Sequence, residues 1–355
     1  MPIRGLALYG TRPESIKMAP VIERLRQADF QMTVVNSGQH DRLMPTIMEL
    51  YHINVDQTLE VLFPGQSLST LTERLLHAVS DELARTHPDF LVVQGDTTTA
   101  FVGALAAFYQ HVPVAHVEAG LRTFELNSPF PEEASRRMIS AIATWNFCPS
   151  AEAATILRRE RVPGQINITG NPIVDALVRI RKSVDPASPS GSKRVVATIH
   201  RRENFDHLGE IFTALALLAE SPGVEVILPI HANPHVQDAA DKWLRGSQVN
   251  TVAPMDYVPW IRFLQTASLI ITDSGGLQEE APVLGIPLLV ARESTERPEV
   301  INQGYGYLVG TSTARIYAQA QDALAGKLVF KQGSPYGKGQ TGKRIAAILR
   351  KSFDQ

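Results

Sequence analysis

Cysteine is nearly absent from this sequence: of 355 residues, only Cys148 carries a thiol. One cysteine cannot build a disulfide framework or a cysteine metal cluster. Beside Phe147 in an apolar segment, it reads as a small core residue. Long apolar runs are missing too, so no segment qualifies as a membrane span. The amino terminus, MPIRGLALYGTRPE, turns polar too soon for a signal peptide, and a cytoplasmic protein is the default expectation. No block of basic residues stands out, and 34 Lys and Arg against 36 Asp and Glu leave a net charge of −2. That balance argues against a nucleic-acid phosphate track. Two nucleotide motifs are also absent: there is no GxxxxGK(S/T), and no GxGxxG follows a strand. GQTGKR at 339–344 is too short for a P-loop and sits before the final helix.

What remains is ordinary globular composition, 44% hydrophobic and 20% charged. The length exceeds what one compact core usually holds, which predicts two domains. Strand-like runs recur: IRGLALY at 3–9, MTVVN at 32–36, FLVVQ at 90–94 and PVAHV at 113–117. Helical patterns lie between them. Leu68, Leu71, Leu75, Val79 and Leu83 fall on one face at helical spacing. In TRPE at 11–14, Thr11 and Glu14 form a capping box, with Pro13 in the first turn. SVDPASPSGSKR at 183–194, rich in Pro and Ser, reads as a loop. The pattern then restarts with RVVATI at 194–199, VEVILPI at 224–230, SLIIT at 268–272 and IPLLV at 286–290. Two successive units of this kind predict two doubly wound, mostly parallel sheets.

Open α/β sheets bind ligands beyond the carboxyl ends of their strands, and polar residues gather there. The first strand exits into Gly10, Thr11 and Arg12, FLVVQ exits into Asp96, and PVAHV exits into Glu118. Later strands exit into His200, His231 and Ser274. Two domains facing a cleft would aim all of these at one ligand. Asp96 is equally readable as a helix N-cap. Glu118 has no clear helix directly after it, so its position points to function. Glu132 and Glu133, after SPFP, read as an acidic helix start. His200 and His231 are open to a structural or a chemical role. His231 and His235 do not make a helical zinc pair, because Pro234 intervenes and no Glu accompanies them.

DSGGLQEEAP at 273–282 places two glycines after a strand and at a helix start. Bare backbone N–H groups there approach a phosphate closely. Ser274 adds a hydroxyl, and Glu280, about two turns on, suits a ribose hydroxyl. General acid–base catalysis supplies about 10²- to 10⁴-fold, short of the ~8–23 kcal/mol that enzymes commonly provide. A phosphate site that stabilises a departing nucleotide accounts for much of the rest. The pattern therefore suggests a nucleotide-activated substrate.

GTRPESIKMAPVI, GDTTTA, HVEAGLRT, SPFPEEASRR, ITGNPIVDAL, HRREN, HANP and DSGGLQEEAPVLGIPLLVARESTERPE occur in this order along nearly the whole chain. Together they resemble the bacterial non-hydrolysing UDP-N-acetylglucosamine 2-epimerases. The resemblance implies the glycosyltransferase-B fold, with two Rossmann-like doubly wound domains facing a central cleft. It implies an N-terminal domain, 1–171, completed by a last helix, 341–355, and a UDP-binding domain, 172–340. It further implies interconversion of UDP-N-acetylglucosamine and UDP-N-acetylmannosamine, through UDP elimination to a glycal, with no cofactor or metal. A homodimer is implied as well.

By motif, Asp96, Glu118 and Glu132 become acid–base and positioning carboxylates, with His200 catalytic or phosphate-contacting. Arg12 and Lys17 face the substrate, while Ser274, Gly275 and Gly276 hold phosphate. Glu280 binds ribose with Arg297 nearby, and Met255 and Trp260 lie at the uracil. Gln39, Glu132 and His231 match an effector site for activation by substrate, although Arg42 and Gly65 replace a Gln and an Arg. Rival readings are a hydrolysing epimerase, a UDP-diacetamido uronic acid epimerase, and a glycosyltransferase on the same fold. A non-catalytic nucleotide-sugar sensor has little use for the acids.

Overall fold

The computed structural model describes residues 2–38, 45–63, 65–183 and 191–354. The chain forms two compact units, one running to Ala176 and resuming at Tyr336, the other spanning Leu177–Pro335.

The first unit contains β1 (Arg4–Tyr9), β2 (Gln31–Asn36), β3 (Gln57–Thr58), β4 (Phe90–Gln94), β5 (Val114–Val117), β6 (Trp145–Cys148) and β7 (Gln165–Ile168). Its helices are α1 (Arg12–Gln27), α2 (Pro45–Leu50), α3 (Leu68–Thr86), α4 (Thr98–Tyr109), α5 (Glu132–Ile142), α6 (Ala151–Glu160) and the start of α7 (Pro172–Ser183). The strands form one parallel sheet in the order β3-β2-β1-β4-β5-β6-β7. The inner strands are apolar almost throughout because helices cover both faces. Leu6, Leu8, Leu91 and Val93 pack with Leu75 and Val79 of α3 and Ala104 of α4. Leu68 is the exception to the expected α3 stripe: it opens the helix outside the packed face and is 46% exposed.

The second unit contains β8 (Lys193–Thr198), β9 (Val224–Pro229), β10 (Asn250–Val252), β11 (Leu269–Thr272), β12 (Leu288–Val290) and β13 (Tyr307–Leu308). Its helices are α8 (Leu208–Ala219), α9 (Pro234–Trp243), α10 (Tyr257–Leu264), α11 (Gly275–Leu284), α12 (Pro298–Asn302) and α13 (Thr313–Leu324). This sheet is also parallel, in the order β10-β9-β8-β11-β12-β13. Its core joins Val195, Ala197, Leu228, Ile271 and Leu289 to Phe212 and Leu215 of α8. In each unit the strand order reverses direction at one point, beside β1 and β4 or beside β8 and β11. In open sheets of this kind, ligands bind at such points, beyond the strands' carboxyl ends.

Each long apolar run read from the sequence contains a strand. The strands without such a run, β3, β6, β7, β10 and β13, are two to four residues long. Several carry polar side chains, as Asn146 does in β6 and Asn167 in β7. Most of the Pro- and Ser-rich stretch at 183–194 lies outside the described residues. Cys148 is fully buried, and burial pushes its thiol up to about 12, as befits an inert core residue. Among the described residues, no helix is long and apolar enough to cross a membrane.

The final helix, α14 (Thr341–Phe353), belongs to the first unit. Asn171 N–H donates to the Tyr336 carbonyl at 2.9 Å, joining the returning chain to the β7–α7 link. Asp175 then accepts from the N–H groups of Thr341 and Gly342, both at 3.1 Å, and caps α14 from a neighbouring helix. Phe353 ends the helix against Phe90 and Trp145, with ring centroids 5.5 and 5.8 Å away. Gly342 lets α14 lie directly on α1: a Cβ there would stand 2.6 Å from the Pro20 carbonyl oxygen. Backbone cannot yield as a flexible side chain can, so Gly342→Ala is expected to destabilise the protein by about 1–3 kcal/mol. Urea unfolding measures this, and an unchanged midpoint would show that α14 does not rest on α1 as described.

Candidate active site

In the first unit, β5 stops at Val117 and Glu118 follows with φ 67°. Left-handed backbone costs a non-glycine residue about 1 kcal/mol or more, and such outliers cluster at functional sites. Glu118 is 6% exposed. Its carboxylate accepts from Lys17 Nζ at 2.5 Å, from Asn171 Nδ2 at 2.8 Å, and from Gln94 Nε2. The sheet register explains the last contact. Gln94 ends β4 opposite Val117, so the residue just after β5 meets its side chain. Lys17 comes from the second turn of α1, and Asn171 from the β7–α7 link. Gly120, with φ 91°, then turns the chain where a Cβ would lie 2.5 Å from the Ala153 carbonyl oxygen.

Asp96 lies one strand over. It does not cap α4; Thr97 does, its hydroxyl accepting from Ala100 N–H at 3.0 Å. Asp96 instead accepts from Arg136 Nε at 2.7 Å and stays 27% exposed. Arg136, on α5, also donates to Glu133 at 2.9 Å. Glu133 is fully buried and accepts as well from Arg137 and from the N–H groups of Thr123 and Phe124. Its hydrogen-bonding capacity is spent on holding the loop before α5. Glu132 differs: its Oε2 is buried with no hydrogen-bond partner among the described residues. His116 meets the Gly95 carbonyl oxygen through Nε2 at 2.7 Å, which steadies the turn before Asp96. Burial lowers the His116 pKa to about 4, so the ring is neutral and Nε2 is the donor. Arg12, at the start of α1, is partly buried.

The second unit repeats the arrangement with different chemistry. Asp273, fully buried at the exit of β11, accepts from the N–H groups of His200 and Arg201, at 3.0 and 2.9 Å, and from Asn204 Nδ2 at 3.0 Å. It therefore fixes the turn after β8 that presents His200. The His200 ring stacks on His231, with centroids 5.2 Å apart. Burial pushes the His200 pKa below its ordinary value; Asp273 opposes the shift, while His231 and Arg201 add to it. Ser274 is the N-cap residue of α11, with Gly275 and Gly276 as its first two positions. The helix start thus presents backbone N–H groups, and Gly276 is exposed.

Arg297 lies against that start. A Cβ on Gly275 would be 2.6 Å from Arg297 Nη1, so glycine is what admits the guanidinium. Arg297 donates to Glu279 at 2.7 Å and to Glu296 at 2.6 Å. Glu296 also accepts from Arg201 at 3.0 Å and Arg292 at 2.7 Å. Burial alone would raise its pKa, but the guanidiniums of Arg297, Arg201 and Arg292 hold it well below the usual carboxylate range. Glu280 is buried and accepts from the Tyr257 hydroxyl at 2.9 Å. Met255 and Trp260, both partly buried, flank the start of α10, and the Trp260 ring stacks on Phe263 at 6.0 Å.

Of the residues singled out in the sequence, Arg12, Lys17, Asp96, Glu118 and Glu132 belong to the first unit. His200, His231, Met255, Trp260, Ser274, Gly275, Gly276, Glu280 and Arg297 belong to the second. Gln39 and Arg42 lie outside the described residues. Sequence reasoning left Gln94, Asn171, Arg136, Asp273 and Glu296 without roles, although all stand inside or beside the quoted motifs. Arg136, three residues after Glu133 on one helix, was the most readable of them. Among the described residues, no group of three or more His, Cys, Asp or Glu is placed to hold a metal ion.

The UDP-N-acetylglucosamine 2-epimerase family model matches residues 23–350. The UDP-N-acetylglucosamine 2-epimerase of Yersinia pestis is 39% identical, across 98% of either chain. The one from Escherichia coli K12 is likewise 39% identical, again across 98% of both. Among solved structures, the UDP-GlcNAc 2-epimerase from Neisseria meningitidis bound to UDP-GlcNAc superimposes with a TM-score of 0.92 at 35% identity, covering 98% of this chain and 100% of that one. With the fold, the paired strand exits and these likenesses in agreement, the chain belongs to the UDP-N-acetylglucosamine 2-epimerase family.

Proposed function

We propose that this protein interconverts UDP-N-acetylglucosamine and UDP-N-acetylmannosamine without hydrolysis. In the forward direction a carboxylate takes the proton from C2. The C1–oxygen bond breaks, UDP leaves with the electron pair, and a C1–C2 double bond forms. Return of a proton to the opposite face of C2, with re-addition of UDP at C1, gives the epimer. No oxidant or reductant is consumed.

The observation that carries this reading is Glu118, a buried carboxylate held beside Lys17 at a strand exit in a strained backbone conformation. Asp96 and Glu132 share the acid–base and positioning work with it. In the second unit, Ser274, Gly275, Gly276 and Arg297 hold the diphosphate, and Glu280 holds the ribose. Met255 and Trp260 receive the uracil. Arg12, Lys17 and His200 act on the substrate's charge, and Gln39 and His231 are the effector residues. The solved Neisseria relative contains UDP-GlcNAc, and one from Methanocaldococcus jannaschii contains UDP-GlcNAc and UDP, which supports this substrate. A homodimer and a cytoplasmic location complete the reading; the family resemblance supports the first, and the nucleotide-sugar substrate the second.

Incubation with UDP-N-acetylglucosamine in deuterium oxide, followed by NMR, tests the reaction. UDP-N-acetylmannosamine carrying deuterium at C2 is the expected product. Free N-acetylmannosamine as the main product would replace this reading with a hydrolase. Absence of exchange at C2 would end it. Replacing the proposed proton-transfer group in Glu118→Gln is expected to lower kcat about 10²- to 10⁴-fold. UDP affinity by calorimetry should stay close to wild type. Near-normal turnover would remove Glu118 from the chemistry.

A further inference from the structure

Glu14 is a further buried acid in the first unit, 2% exposed, whose role so far is the capping box of α1. Its Oε2 accepts from Gly10 N–H at 3.1 Å, from Thr11 N–H at 2.8 Å and from the Thr11 hydroxyl at 2.8 Å. Its Oε1 accepts from the Thr97 hydroxyl at 2.7 Å. Of these four bonds, the capping box uses only the one from the Thr11 N–H. The bond to Thr97 crosses from the turn after β1 to the turn after β4, where the strand order reverses. Thr97 also caps α4 through Ala100 N–H, so its hydroxyl accepts there and donates to Glu14.

All these partners are neutral, unlike the Lys17 ammonium that faces Glu118. Burial consequently raises the Glu14 pKa to about 7, against the hydrogen bonds from Thr97, Thr11 and Gly10 that lower it. The titratable groups nearby are Tyr9 of β1, whose own pKa Glu14 helps to raise, Lys17 one turn along α1, and Asp96 beside Thr97. An ionised acid buried without a cation works against stability.

We propose that Glu14 is a positioning residue for the reaction: by clasping the β1–α1 turn to the β4–α4 turn, it sets Arg12 and Lys17 in place relative to Asp96. This rests on the epimerase reading of the site. The carboxylate makes all its bonds as an acceptor, so the clasp is complete when Glu14 is ionised. Glutamine keeps one acceptor oxygen and resembles the protonated acid.

The test compares Glu14→Gln, Thr97→Val and Thr97→Ser by steady-state kinetics with UDP-N-acetylglucosamine, UDP calorimetry and thermal unfolding. Glu14→Gln and Thr97→Val are each expected to lower kcat about 10- to 100-fold at pH 8, the scale of a small misplacement of reacting groups. UDP affinity should hold within about twofold, a spread that corresponds to less than half a kcal/mol. Thr97→Ser, which keeps the hydroxyl, should retain activity. The double variant Glu14→Gln/Thr97→Val should lose no more than the worse single one, because both act on the same Glu14–Thr97 bond.

Unfolding reports the ionisation of Glu14 separately from turnover. A raised acid pKa adds stability below its unfolded value of 4.5, and that contribution is lost as pH rises through about 7. Glu14→Gln has no such loss, so its Tm relative to wild type should climb between pH 5 and pH 8. Wild-type kcat in both Glu14→Gln and Thr97→Val would overturn the proposal, as would equal losses in Thr97→Ser and Thr97→Val. Should the wild type not act on this substrate, the epimerase reading fails, and amide exchange still decides the clasp. Thr97→Val should then speed exchange at Gly10 and Thr11, and unchanged rates there would refute it.

Discussion

The ion pair between Glu118 and Lys17 is the contact on which the first unit's site depends. Burying either charge costs several kcal/mol, and their mutual attraction repays that only with close geometry and further hydrogen bonds. Both conditions are met: the pair is 2.5 Å apart, and Gln94 and Asn171 take up the remaining carboxylate capacity. Four segments must therefore arrive together, namely α1, β4, β5 and the β7–α7 link. An all-parallel sheet with β1, β4 and β5 side by side delivers the first three at one end. The fourth is tied to the returning chain through Tyr336 and α14. A left-handed residue at the tip of β5 adds to the cost, which a packing role alone does not explain.

The second unit solves the complementary problem. Where the first unit neutralises a carboxylate with one ammonium, this one neutralises several guanidiniums with Glu296. Arg297 is thereby aimed at the α11 start, where exposed N–H groups and the helix dipole already favour an anion. A side chain at Gly275 would displace the guanidinium. Asp273 uses its oxygens on the N–H groups of His200 and Arg201 and on Asn204, and so orients His200. Under the proposed function, one unit handles the proton and the other holds the phosphate.

Much of this was legible in the chain. Apolar runs located the inner strands, because burial on both faces removes the polar alternation that would otherwise blur them. Thr11 and Glu14 announced the start of α1, and the two glycines announced α11. Short polar strands such as WNFC and QINI were not readable, since neither length nor pattern separates them from loops. Asp96 was ambiguous because a cap and a ligand-facing acid look alike in sequence; the Thr97 bond to Ala100 shows that Asp96 is not the cap. Lys17 and Glu118 are 101 residues apart, Gln94 and Glu118 are 24 apart, and no local period links them. Such pairings come from sheet order, which sequence periodicity does not encode.

The central claim is that the Glu118–Lys17 pair is kept for chemistry and not for stability. The equilibrium unfolding free energy of Lys17→Met/Glu118→Gln, beside both single variants and wild type, tests it most directly. Each single change leaves one uncompensated buried group and should cost about 3–5 kcal/mol. The double variant is expected to recover to within about 1 kcal/mol of wild type, or to exceed it, while remaining inactive. A double variant that loses the sum of the two single costs would contradict it, and would make the pair a structural support.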